Sequence, residues 1–68
     1  MALPLNQRQM QILPLLARGF SNREIAIQVD LSEVTVKQYI TTIFRVLGVE
    51  NRAQALLAIR RFGLAAVE

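Results

Sequence analysis

The stretch "SNREIAIQVDLSEVTVKQYITTIFRVL", residues 21–47, decides the fold of this 68-residue chain. Ser21 and Ser32 each stand directly before a run with helical apolar spacing, and serine is a preferred residue at the N-cap of a helix. Only Asp30 and Leu31 separate the first of these helices from the cap of the second. Because so short a connection forces two helices to cross, the spacing predicts a helix-turn-helix unit over about residues 21–47.

The longer helix of this unit has two unlike faces. Val36, Ile40, Ile43 and Leu47 recur at helical spacing and form one apolar stripe that must face the core. The opposite side carries no acid after Glu33 and presents Val34, Lys37, Gln38, Thr41, Thr42 and Arg45, with Thr35 and Tyr39 on a flank. Such a face suits the major groove of DNA, whereas a solvent face usually mixes both charges. By spacing alone, an ordinary packed pair of helices is an equal alternative.

Capping signals predict two further helices. The pattern of an apolar residue, a cap, and a side chain able to bond back occurs at residues 5–10, 20–25 and 31–36, with Thr35 making the third copy the weakest. Residues 51–54 repeat the capping box without the apolar staple, and Gly19, Gly48 and Gly63 suit helix ends. We therefore expect an all-α fold with helices at about 7–18, 22–29, 33–47 and 52–62. Pro14 predicts a kink in the first helix.

Composition removes several classes of function. The chain has no cysteine and no histidine, which argues against disulfides, ordinary zinc sites and the commonest general base, and its five acids are scattered. An enzyme is therefore the weakest hypothesis, and we expect no metal and no cofactor. No apolar run approaches the roughly 20 residues of a membrane span, and the first residues lack the order of a signal peptide. We expect a soluble, cytoplasmic protein, and its net charge of +3 mildly favours nucleic acid as a partner.

The segment "ARGFSNREIAIQVDLSEVTVKQYITTIFRVLGVENRAQA", residues 17–55, resembles the DNA-binding domain of LuxR-type transcription factors, which is also found at the C-terminus of many response regulators. It follows that family's pattern of Gly-x-Ser/Thr-Asn-Lys/Arg-Glu-Ile-Ala, then Ser-x-x-Thr-Val-Lys, then Leu-Gly-Val and Asn-Arg. The resemblance extends without a gap from Leu5 to about Leu64. It implies a four-helix domain whose third helix enters the major groove.

The resemblance also implies roles for individual residues. Lys37 would contact bases or phosphate, and Gln38 and Thr41 would occupy neighbouring positions facing the groove. The DNA backbone would be held by Asn22, Arg23 and Thr35, and by Asn51 and Arg52 at the start of the fourth helix. The chain departs from the family where Gln9 replaces a usual glutamate, Tyr39 a common histidine and Val46 a common lysine.

Three side chains of the outer face keep two interpretations each. Arg45 reaches a phosphate or balances the negative end of its own helix. Val34 contacts a thymine methyl group or is simply an exposed valine. Gln38 makes a bidentate contact with adenine or is a variable surface glutamine.

Helical spacing predicts an inward face of the fourth helix formed by Ala55, Ile59 and Phe62, with Leu57 and Leu64 pointing away from it. The resemblance implies that this helix mediates homodimerisation, so that two recognition helices lie about one DNA turn apart on an inverted repeat. Contact with an absent N-terminal receiver or ligand-binding domain is the alternative. The leading hypothesis is a transcriptional regulator that binds specific double-stranded DNA, and the second is a helix-turn-helix module for protein contact.

Overall fold

Four α-helices form the part of the chain that the computed structural model describes, which is residues 5–63 without the side chain of Phe62. They are α1 (Gln7–Ala17), α2 (Asn22–Val29), α3 (Glu33–Leu47) and α4 (Arg52–Phe62). These bounds confirm the four helices expected from the capping signals, and no strand occurs in the described range. The fold is therefore all-α, as predicted.

The helix starts follow the capping chemistry of the sequence, with one correction. Capping boxes form at Asn6 and Ser21, so glutamine at position 9 serves the box as glutamate would. At the start of α4 the predicted box is wrong: the Asn51 side chain accepts from the Gln54 backbone N–H, but Gln54 Oε1 accepts from the Glu50 N–H. In a capping box the Gln54 side chain would accept from the backbone N–H of Asn51, but here it accepts from the N–H of the preceding residue, Glu50.

The end of α2 shows a feature that the sequence did not signal. Asp30 adopts a left-handed conformation with φ of 58°, the only non-glycine residue with positive φ among those described. Aspartate tolerates this region better than most side chains do. The backbone N–H of Leu31 then donates to the Ala26 carbonyl at 3.0 Å, which closes the helix. This sharp end makes the two-residue connection to Ser32 possible.

Side chains from all four helices meet in one core. Its fully or nearly buried members are Ile12, Leu13 and Leu16 of α1, Ile25 and Ala26 of α2, Val36, Ile40 and Ile43 of α3, and Ala55 and Ile59 of α4. This confirms the inward stripe predicted for α3, except that Leu47 is only partly buried at its margin. α1 packs against each of the other three helices, and α2 packs against α3. The core thus holds α3 by one face and leaves the opposite face outside.

Pro14 lies within α1, which continues through it to Ala17. Residues 11–15, on both sides of this proline, are therefore helical. The kink expected at this position stays a prediction.

Candidate nucleic-acid interface

The outer face of α3, defined as Val34, Lys37, Gln38, Thr41 and Arg45, is exposed along its whole length. Val34 retains 68% of its accessible surface, although it is apolar. Thr42, which the sequence placed on this face, is half-buried, and so are the flanking residues Thr35 and Tyr39. Since no acid follows Glu33 in α3, the face presents two positive charges without a carboxylate among them.

Two of the three threonines of α3 donate their hydroxyl protons within the helix. Thr41 Oγ1 donates to the Lys37 carbonyl at 2.9 Å, and Thr42 Oγ1 donates to the Gln38 carbonyl at 3.3 Å. A threonine hydroxyl that has given up its proton in this way can still accept hydrogen bonds. Thr41 therefore offers an acceptor and a methyl group to any partner that lies on this face.

The start of α3 combines the cap hydroxyl of Ser32 with a second hydroxyl, that of Thr35. Ser32 Oγ accepts from the Thr35 backbone N–H at 3.1 Å and donates to Thr35 Oγ1 at 2.9 Å. Thr35 does not bond back to the Ser32 backbone, which confirms that this cap satisfies fewer donors than the boxes at Asn6 and Ser21. Because Thr35 Oγ1 receives a hydrogen bond here, its own proton is available for an acceptor outside the chain.

The guanidinium of Arg52 connects the start of α4 to the start of α2. Its Nη1 donates to the Phe20 carbonyl at 3.1 Å, and its Nη2 donates to Asn22 Oδ1 at 2.6 Å. Arg52 and Asn22 are both half-buried. The structure thus brings together Arg52 and Asn22, two of the predicted phosphate-contact residues, through a hydrogen bond. It also engages the Arg52 guanidinium with acceptors inside the protein.

An open depression of about 470 Å³ lies over this junction. Its walls include Arg23, Asn22 and Arg52, together with Glu33 from the first turn of α3. The starts of three helices therefore border one surface region, where partly positive helix N-termini favour anions. The sequence did not indicate that Glu33 would share this region, because the crossing of the helices brings it there.

A further polar contact ties α1 to the helix-turn-helix unit. Arg8, near the start of α1, donates from Nη1 to the carbonyl of Val29 at the end of α2. Sequence reasoning missed this contact and the bond from Arg52 to Phe20. In each of them the acceptor is a backbone carbonyl, which no side-chain motif marks.

Exposed apolar side chains lie on two other helices. Leu57 of α4 is 67% exposed, which confirms that it points away from the core, whereas Leu64 lies outside the described residues. Ile27 of α2 is 71% exposed and was not singled out from the sequence. Ala55 and Ile59 of α4 are fully buried, as predicted for its inward face.

No group of acids in the described part of the chain could hold a metal ion. None of its helices has the length and apolar character needed to cross a membrane.

Known proteins resemble this chain in both sequence and structure. The family model described as "Bacterial regulatory proteins, luxR family" matches residues 3–59. A glycerol metabolism activator of Pseudomonas putida is 41% identical over 54 residues, which are 79% of this chain and 24% of that protein. A probable transcriptional regulator of Streptomyces halstedii, GfsR, is 45% identical over 56 residues, which are 82% of this chain and 23% of that protein.

Two solved structures share the arrangement of helices. The transcription factor GerE is 40% identical with a TM-score of 0.76, covering 88% of this chain and 90% of that one. The response regulator ChrA of a heme-sensing two-component system is 39% identical with a TM-score of 0.82, covering 94% of this chain and 32% of that one. The chain spans about a quarter of the length of the two curated relatives.

Proposed function

We propose that this chain, which belongs to the luxR family of bacterial regulatory proteins and is a DNA-binding domain that acts in transcription regulation, binds specific double-stranded DNA through the outer face of α3. The exposure of that face, together with its freedom from acids after Glu33, is the observation that carries the proposal. An α-helix fits the major groove of B-DNA, and a face without carboxylates approaches the phosphates without repulsion.

Lys37 has the central role in this proposal. It lies one turn from the start of α3 and is exposed, so its ammonium group can reach a base edge or the nearest phosphate. Arg45 lies two turns further on and contacts a phosphate on the far side of the groove. Gln38 donates to and accepts from adenine, while Val34 packs on a thymine methyl group and Thr41 accepts from an exposed base amino group.

The starts of α2 and α4, with Thr35, hold the DNA backbone in the same proposal. Arg23 is exposed at the rim of the depression and supplies a charge to a phosphate. The Thr35 hydroxyl proton and the amide of Asn22 supply neutral donors. Asn51 is exposed at the cap of α4, but its Oδ1 accepts from the Gln54 N–H, so it too has only its amide N–H groups to offer a phosphate.

Selection of bound sequences from a random DNA pool tests binding and specificity together. The proposal predicts enrichment of two inverted half-sites whose centres lie about 10 base pairs apart, because a two-fold dimer places its recognition helices about one DNA turn apart. A pool that yields no enriched sequence at low salt would contradict it.

Homodimerisation through α4 is the second part of the proposal, and the 67% exposure of Leu57 supports it. Leu57→Ser should lower the dimer fraction seen by sedimentation and reduce affinity for the inverted repeat towards that for a single half-site. Ile27→Ser is the matched control, since it removes an equally exposed apolar side chain from a different helix. Equal dimer fractions in Leu57→Ser and the unsubstituted protein would remove α4 from the interface.

Leu57 also favours a competing function, in which the helix-turn-helix unit binds protein alone. Under that hypothesis Leu57→Ser disrupts association, while Lys37→Ala changes no measurable property.

The relatives are far longer than this chain, so we further propose that the domain acts under the control of an N-terminal receiver or ligand-binding domain. Such a domain is the alternative occupant of the Leu57 surface.

A further inference from the structure

The junction between the starts of α2 and α4 supports an inference that rests on the proposed function and deepens it. We propose that Arg52 does not contact DNA itself but is a positioning residue, which fixes the amide of Asn22 so that its N–H groups face a phosphate. The first observation is the geometry of the guanidinium. Its two terminal nitrogens are committed to different acceptors, Phe20 O at 3.1 Å and Asn22 Oδ1 at 2.6 Å.

These two bonds suit arginine in particular. The guanidinium is a planar fork of donors, so it can hold two acceptors in a fixed relation, whereas an ammonium group is a point charge on a flexible stem. Within the described residues, no Cα atom of α2 lies within 8 Å of a Cα atom of α4. Arg52 therefore provides a direct hydrogen-bonded connection between α4 and the start of α2, two helices that otherwise share only the common core.

The bond to Asn22 also decides which way its amide points. Arginine has donors and no acceptor, so only the carbonyl oxygen of the asparagine amide can face it. The Nδ2 group, with two donors, is then directed away from Arg52. The phosphodiester oxygens of DNA carry no proton at neutral pH, so they accept hydrogen bonds and do not donate them. An amide with Nδ2 outward therefore suits a phosphate, and one with Oδ1 outward would repel it.

Arg23 provides the contrast at the same junction. It borders the same depression as Arg52 but is exposed, whereas Arg52 is half-buried. We assign the phosphate charge contact to Arg23 and the positioning of the neutral contact to Arg52. This assignment differs from the role implied by family resemblance, in which Arg52 itself contacts phosphate.

Salt dependence of DNA binding separates a contact from a positioning role. The slope of log K against log salt is negative, and each lost charge contact with phosphate reduces its magnitude by about 0.9. Arg52→Gln should weaken binding severalfold and leave the slope unchanged, while Arg23→Gln and Lys37→Gln should each reduce the magnitude of the slope by about 0.9. The duplex is the sequence selected from the random pool, and circular dichroism at the assay temperature verifies that each variant is folded.

A charge-conserving variant keeps the test valid if Arg52→Gln does not fold. Arg52→Lys should weaken binding severalfold, because lysine keeps the charge but cannot hold Phe20 O and Asn22 Oδ1 together. Adding Asn22→Ala to Arg52→Lys should cause no further loss, since both changes remove the same phosphate contact. In two-dimensional NMR spectra, the side-chain amide signals of Asn22 should move in Arg52→Lys.

Two outcomes would overturn the inference. One is a salt slope whose magnitude falls in Arg52→Gln by as much as in Lys37→Gln, and the other is an Arg52→Lys variant with undiminished affinity. Either result would leave the proposed function intact, because Lys37→Gln would still reduce the magnitude of the slope. If Lys37→Gln changed neither affinity nor slope, the proposed function itself would fail, and this inference with it.

Discussion

The inner and outer faces of α3 begin at the same cap but serve different purposes. On the inner face, Val36 and Ile43 are fully buried and Ile40 retains 5% exposure. On the outer face, Val34 retains 68%, although it is just as apolar as Val36 two residues later. Chemical type alone therefore does not separate the faces; register does. Helical spacing sets that register: the buried stripe packs on the core and so places Val34 on the opposite side, while Ser32 determines only where the helix begins.

The largest effect is expected from the inner face. Ile43→Ala should cost about 2–5 kcal/mol of the free energy of unfolding, since it leaves a cavity at a fully buried site. A domain of this size has only about 3–5 kcal/mol available from its core, so much of the variant should be unfolded. Thermal denaturation followed by circular dichroism measures the loss. Arg45→Ala, two residues away and on the outer face, should stay within about 0.5 kcal/mol of the parent protein.

Lys37→Ala should have the opposite profile. We expect its affinity for the selected duplex to fall by about 1–3 kcal/mol while the unfolding transition stays unchanged. Fluorescence anisotropy at fixed salt measures the affinity. Arg61→Ala, which removes the same charge from the exposed end of α4, is the control and should change affinity less than twofold, on the order of 0.4 kcal/mol. Equal losses in both variants would mean that net charge, and not the face, governs binding.

Ser32→Ala tests the feature that the two faces share. Loss of the cap should cost about 1 kcal/mol of stability, because the Thr35 N–H loses its acceptor. Ser32→Asn keeps a side-chain acceptor and should restore most of it. A melting temperature for Ser32→Ala equal to that of the parent would show that the start of α3 is held by packing alone.

Val34→Ala should produce the smallest effect, and one limited to base preference. Replacing thymine by uracil at a single selected position removes the methyl group and should weaken the parent protein by about 0.5–1 kcal/mol. The same replacement should leave Val34→Ala unaffected, because the partner of the methyl group is already gone. If no thymine position shows this coupling, Val34 is an exposed valine without a DNA contact.

Much of the fold could be predicted because local signals and helical spacing agree. The caps at Asn6, Ser21 and Ser32 and the apolar stripe of α3 each depend on residues near in sequence, so the helices follow from short-range chemistry. The end of α2 was not marked by a glycine, since Asp30 adopts the left-handed conformation in its place. The altered bonding of Gln54 likewise depends on backbone placement that no motif encodes.

The candidate site could be predicted only in part. Exposure of the outer face follows from helical geometry, so the exposure of Lys37, Gln38 and Thr41 could be predicted from the sequence, while their contacts with DNA stay a prediction. The clamp from Arg52 to Phe20 and Asn22 joins residues about thirty positions apart, and its acceptors include a backbone carbonyl. Such a contact depends on the crossing of the helices and becomes visible only when the tertiary structure is known.

An NMR titration with the selected duplex tests the central claim most directly. Backbone amide signals of the protein are followed as DNA is added, so chemical-shift changes in all of α1 to α4 are measured in one experiment. We predict that the largest shifts occur along the outer face of α3 and at the start of α2. Shifts confined to the surface of α4 around Leu57, with α3 unchanged, would contradict the claim that the outer face of α3 binds DNA.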